Sequence, residues 1–87
     1  MSEHSDHVAV TLAEWPDDVE SEEGVVVNWF VREGTTVDEG ESLCEIQVEK
    51  VSMDVYAPVD GTLVDIVCGE DAEFARGDTL AWIAPDE

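Results

Sequence analysis

Apolar and polar residues alternate in short runs along this chain. Val8, Val10 and Leu12 alternate with Ala9, Thr11 and Ala13; Cys44, Ile46 and Val48 with Glu45, Gln47 and Glu49; Val51, Met53 and Val55 with Ser52, Asp54 and Tyr56. Successive side chains of a strand point to opposite faces, so a period of two predicts strands that turn one face to a core. Further strands are expected at residues 25–31, with Val25, Val27, Trp29 and Val31 on one face, at 62–67, around Phe74, and at 79–83. Trp15 and Pro16 end the first strand, because proline cannot donate to a ladder. Residues 17–24 read as an acidic loop, and Gly34, Gly40, Pro58, Asp60 with Gly61, and Arg76 with Gly77 as turns. No breaker-free window carries helical periodicity, so the expected class is all-β.

The chain also repeats. Shifted by 37 positions, Gly24 falls on Gly61, Val27 on Val64, Glu33 on Glu70, Gly40 on Gly77, Leu43 on Leu80 and Ile46 on Ile83. Each copy has an apolar face that it cannot cover alone, and packing the copies together covers both. The expected architecture is a flattened β-barrel or sandwich of two quasi-symmetric sheets, each of about four strands. Trp29, Ile46, Met53, Leu80, Trp82 and Ile83 are the expected core. Gly40 and Gly77 occupy equivalent turns, where positive φ suits glycine.

Between the runs ending at Val48 and starting at Val51 stand only Glu49 and Lys50, the tip of an expected hairpin. Glu-Lys is not the Asn-Gly or Asp-Gly pair of a type I′ turn, which points to type I or a longer variant. Lys50 is the chain's single lysine. An unpartnered ammonium is costly to bury, so it should stand in water. By the repeat, the counterpart of this hairpin falls at the chain ends. The tip and the termini are therefore expected at opposite ends of the molecule.

These residues carry a resemblance. Glu45, Glu49 and Lys50, followed by Ala57, Pro58 and Gly61, resemble the lipoyl-attachment signature of 2-oxo acid dehydrogenase complexes. Trp29, Val31, Gly34, Val37, Gly40, Glu41 and Leu43 match the same family's upstream run. The likeness to this lipoyl domain of the biotinyl/lipoyl-carrier family covers residues 8–84. It implies that Lys50, flanked by Glu49 and Val51, carries lipoic acid in amide linkage. It further implies attachment by a lipoate ligase or lipoyl transferase, acylation by a thiamine-dependent 2-oxo acid decarboxylase (E1), transfer to coenzyme A at an acyltransferase (E2), and reoxidation by dihydrolipoamide dehydrogenase (E3). In the family, the loop after the first strand lies beside the tip and helps partners choose their domain. Val51 stands where the family often has Ala, and Val48 where it often has Thr or Ser, which bears on partner choice.

Composition narrows the alternatives. Eighty-seven residues with 44% hydrophobic content suit one folded domain, expected at 8–84 between tails at 1–7 and 85–87. His4 and His7 read as tail residues, not as a metal site. Twenty-three acidic residues against three basic ones, net −20, disfavour nucleic acid and anionic membrane as partners. The same balance suits a cytoplasm at molar salt, where the Debye length falls to about 3 Å and self-repulsion is hidden, so a halophilic source is the favoured reading. Residues 1–20 lack the apolar core of a signal peptide, and no run could span a membrane, so the expected location is the cytoplasm. Cys44 and Cys68 fit free thiols better than a redox or metal motif.

No nucleophile–base or phosphate-loop motif is present, and the chain reads as a carrier, not an enzyme. The alternatives are a biotin carrier moving carboxyl groups and a glycine-cleavage H-type lipoyl carrier. The first usually has Met on both sides of the lysine, unlike Glu49 and Val51. The second is longer, with helical segments absent here. A binding or assembly domain with an idle lysine is the alternative from another class.

Overall fold

The structure, a computed structural model, describes residues 7–12 and 14–85. The expectations for residues 1–6 (with His4), for Ala13 and for residues 86–87 lie outside the described residues. Eight strands follow in order: β1 (Val8–Val10), β2 (Glu23–Trp29), β3 (Thr36–Val37), β4 (Ser42–Val48), β5 (Val51–Tyr56), β6 (Gly61–Ile66), β7 (Glu73–Ala75) and β8 (Ala81–Pro85). They form two four-stranded antiparallel sheets, β1-β8-β6-β3 and β5-β4-β2-β7. The all-β class holds. Of the two forms expected, the sandwich is found: no ladder among the described residues joins the sheets into a closed barrel. Of the four outer strands, β1, β3 and β7 are only two or three residues long, and β5 has six.

The repeat governs this topology. Moving β2, β3 and β4 by 37 positions lands on β6, β7 and β8, and the sheet orders exchange accordingly. Val26 pairs with Ile46, and Leu63 with Ile83; both ladders then slip, between Val26 and Asn28 and between Leu63 and Asp65. Gly24 pairs with Phe74, and Val37 with Gly61. The left-handed residues also correspond, Gly40 (φ 87°) with Gly77 (φ 91°) and Gly34 (φ 93°) with Asp71 (φ 69°). Each copy lends its shortest strand to the other's sheet: β3 of the first pairs with β6, and β7 of the second with β2. The halves are interlocked as well as stacked.

The core is Val10, Val26, Val37, Leu43, Cys44, Ile46, Val48, Val55, Leu63, Phe74, Leu80, Ala81 and Ile83 with Ala57, and no polar side chain among the described residues is buried with it. Of the expected core, Ile46, Leu80 and Ile83 are fully buried, while Trp29, Met53 and Trp82 are half-buried. Trp29 donates from Nε1 to the Cys68 carbonyl at 2.7 Å, the polar contact a half-buried indole needs. The face assignment of β2 is corrected. Val26 points inward and Val27 is 40% exposed, because the bulge breaks the alternation and three successive valines conceal which is inside. The last strand is Ala81–Pro85 rather than 79–83, with Pro85 opposite Gly61.

Gly61 follows the expected turn and has a further role. It opens β6, buried, where a Cβ would strike the Ala84 carbonyl oxygen and lie 2.8 Å from the Ile83 side chain. Its repeat equivalent Gly24 is confined in the same way by Phe74. Gly69 has open space around it and no positive φ. Gly61→Ala is expected to cost about 2 kcal/mol through overpacking, and Gly69→Ala to stabilise slightly, by less than about 1 kcal/mol. Urea denaturation of the two variants checks the contrast.

Both thiols are free, Cys44 buried and Cys68 half-buried. Burial first, then the nearby Asp54 carboxylate and Cys68, push the Cys44 thiol from 9.0 up to about 12. The folded state therefore holds this proton after the unfolded chain has released it. The resulting stabilisation is complete below pH 9 and is lost as pH rises from 9 towards 12, at up to about 1.4 kcal/mol per pH unit. Stability measured by denaturation across that window should fall less steeply for Cys44→Ala than for the natural chain.

Candidate functional site

The β4–β5 hairpin forms as its sequence pattern requires. Six residue pairs run from Ser42 opposite Tyr56 to Val48 opposite Val51, leaving Glu49 and Lys50 as a two-residue turn. Val48 is fully buried and Val51 half-buried, so the last ladder pair is anchored in the core while both turn residues are exposed. Among the described residues, the Lys50 ammonium makes no ion pair. A primary amine thus projects from a support that cannot fray without unburying Val48.

The turn itself differs from expectation. Glu49 has φ 54°, and Lys50 is not among the positive-φ residues. Type I needs negative φ at both central positions, so it is excluded. A positive angle at the first position alone also excludes type I′, which needs positive φ at both. Glutamate is not a natural occupant of that region, and the turn is held by contacts made from Glu49 itself. Gln47 Nε2 donates to the Glu49 carbonyl at 2.9 Å. On the side chain, a single oxygen, Oε2, accepts from the backbone N–H of Glu20 at 3.0 Å and of Ser21 at 2.8 Å.

Those two donors belong to the acidic loop that follows β1. Its other anchor is Trp15, whose Nε1 donates to the Ser21 carbonyl at 2.8 Å. The Trp15 ring stands edge-on to Phe74, centroids 6.0 Å apart at 80°. Arg76 lies 5.9 Å from the Trp15 ring centroid and 3.7 Å from the Glu22 carboxylate. Ser21 Oγ bridges to the Glu23 carbonyl and N–H, both at 3.1 Å. The loop is thereby fastened beside the tip from two sides. Lys50, Glu49 and Val51 come together as the sequence indicates. Trp15, Ser21 and Gln47 were not foreseen as parts of the site. The sequence marks Trp15 only as a strand terminator, and no local pattern marks its bond to Ser21.

The sequence model of the family described as Biotin-requiring enzyme (Biotin_lipoyl) matches residues 14–83. The chain belongs to the biotinyl/lipoyl family. Curated relatives include the dihydrolipoyllysine-residue acetyltransferase component of the pyruvate dehydrogenase complex from Staphylococcus aureus strain Mu50, 37% identical over 65 residues. The protein of that name from Staphylococcus epidermidis strain ATCC 12228 is 35% identical over 65 residues. Each alignment covers 74% of this chain and 15% of the relative, so the chain spans a small part of the relatives it matches. Among solved structures, the lipoyl domain of the 2-oxoglutarate dehydrogenase complex from Azotobacter vinelandii superposes with a TM-score of 0.71 at 26% identity, covering 92% of this chain and all of that one. These likenesses support a lipoyl carrier role for this family member. They lend no support to the halophilic reading of the charge, which rests on composition alone.

Trp15→Phe would keep the ring against Phe74 but remove the donor to Ser21. The expected cost is about 1 kcal/mol, readable in urea denaturation as a shift of midpoint with an unchanged slope.

Proposed function

We propose that this chain is a non-catalytic carrier whose Lys50 Nζ holds lipoic acid in amide linkage and delivers it among the active sites of a 2-oxo acid dehydrogenase complex. The observation that carries this reading is the exposed Lys50 amine on a two-residue hairpin tip, unpaired among the described residues and backed by fully buried Val48. An attaching ligase or transferase needs such an amine in the open, on a backbone that keeps its place. When bound, lipoamide supplies a dithiolane that takes up and passes on acyl groups and electrons. The chain's own residues have simpler tasks: Lys50 bears the group, Glu49 and Gln47 hold the turn, and the sandwich keeps the tip clear of the body. Amide formation would remove the Lys50 charge and leave Arg32 and Arg76 as the chain's side-chain cations besides histidine. Complementary faces on the decarboxylase, acyltransferase and dihydrolipoamide dehydrogenase should then be basic, since opposite potentials speed and orient encounter. We place the exchange in the cytoplasm.

Biotin is the alternative cargo, because the family includes both attachments. Glu49 and Val51 beside the lysine, together with relatives named for dihydrolipoyllysine, favour lipoate. Tethering explains the benefit: intermediates on an arm meet the next site at a raised effective concentration.

Intact mass of the chain isolated from its source should show a lipoyl increment. A biotinyl increment would transfer the assignment to the alternative, and an unmodified chain would count against both. Lys50→Arg should abolish the increment while altering stability by less than about 0.5 kcal/mol, as expected for an exposed substitution.

A further inference from the structure

The geometry points to Glu49 as a positioning residue that latches the post-β1 loop to the lysine tip, so that loop and lysine meet a decarboxylase as one rigid surface. This inference deepens the carrier reading and rests on it.

The observations are independent of one another. Glu49 is exposed, yet its backbone is held at φ 54°, a conformation glutamate adopts only when its surroundings hold it there. Its carboxylate is nevertheless engaged. Its Oε2 atom receives two backbone donors, Glu20 N–H and Ser21 N–H, across 29 and 28 positions of sequence. Bonds from N–H groups to an ionised carboxylate are stronger than neutral ones, and adjacent donors converging on one oxygen fix the acceptor's direction as well as its distance. Trp15 holds the Ser21 carbonyl on the other side of the same peptide segment. Without Glu49 the segment would retain that inner anchor but lose its tie to the tip.

The electrostatic setting makes the latch necessary. Residues 17, 18, 20, 22 and 23 of this segment are all acidic, and an untethered run of like charges extends away from its neighbours. Glu49 adds another negative charge beside it. Side-chain repulsion alone would drive loop and tip apart, and the two N–H bonds oppose it. A loop held in place spares an approaching enzyme the cost of ordering it at each encounter, since such ordering subtracts directly from affinity.

The latch makes a separable forecast for two substitutions. Glu49→Ala removes the acceptor. Glu49→Gln removes the charge but keeps an amide oxygen able to receive both donors. In Glu49→Ala, hydrogen exchange at the Glu20 and Ser21 amides should accelerate about tenfold, and in Glu49→Gln by less than about threefold. With the chains lipoylated in vitro, reductive acylation would be followed using a pyruvate-specific and, separately, a 2-oxoglutarate-specific thiamine-dependent decarboxylase. KM for the Ala chain should rise about fivefold with kcat within about twofold, and Gln should restore most of the loss.

Unchanged amide exchange in Glu49→Ala would overturn the latch. An unchanged KM despite faster exchange would overturn its role in recognition. A Gln variant as impaired as Ala in KM, but with protected amides, would mean that partners read the Glu49 charge directly, which also overturns it. A natural chain that can be neither lipoylated nor acylated would defeat the carrier reading instead, and amide exchange would still decide whether the latch exists.

Discussion

Neither half of this chain can bury its own apolar face, and the remaining architecture follows from that. Each copy of the repeat supplies two long strands and one short one, and the short strand completes the other copy's sheet. Leu43, Ile46 and Val26 of one half close against Leu80, Ile83 and Leu63 of the other, and all six are fully buried. In so small a domain the fraction of surface buried is limited, and interlocking draws a continuous core from strands of seven residues or fewer. Gly24 and Gly61 are the residues opposite which the exchanged strands place Phe74 and Val37.

The acidic surface is compatible with this arrangement because no charged group among the described residues enters the core. Self-repulsion therefore acts at the periphery, where water and ions screen it. It becomes a structural problem only where acidic segments must lie side by side, at the loop and hairpin tip. There the chain uses backbone donors on the Glu49 carboxylate beside the Arg76–Glu22 ion pair.

The repeat also distinguishes two equivalent strand pairs. The β4–β5 hairpin of one sheet corresponds to the β8–β1 pair of the other. Only the first joins strands consecutive in the chain, and its two-residue turn bears Lys50.

Much of this was legible before any coordinates. Alternation located the strands, the 37-residue shift anticipated two matching sheets but not the exchange of β3 and β7 between them, and the spacing around Lys50 identified the hairpin and its family. These features are written locally or at a constant offset, and each can be read without knowing what lies opposite. The inward valine of β2 could not be read this way, because a bulge decides it and three valines in a row are equivalent on paper. The role of Gly61 depends on the carbonyl of Ala84 passing over it, and the sandwich was settled against the barrel by strand pairing that stays within each sheet. The grip of Glu49 on Ser21 spans 28 residues. A contact of that kind exists only after folding has carried two acidic segments together, and no periodicity in either one records the other.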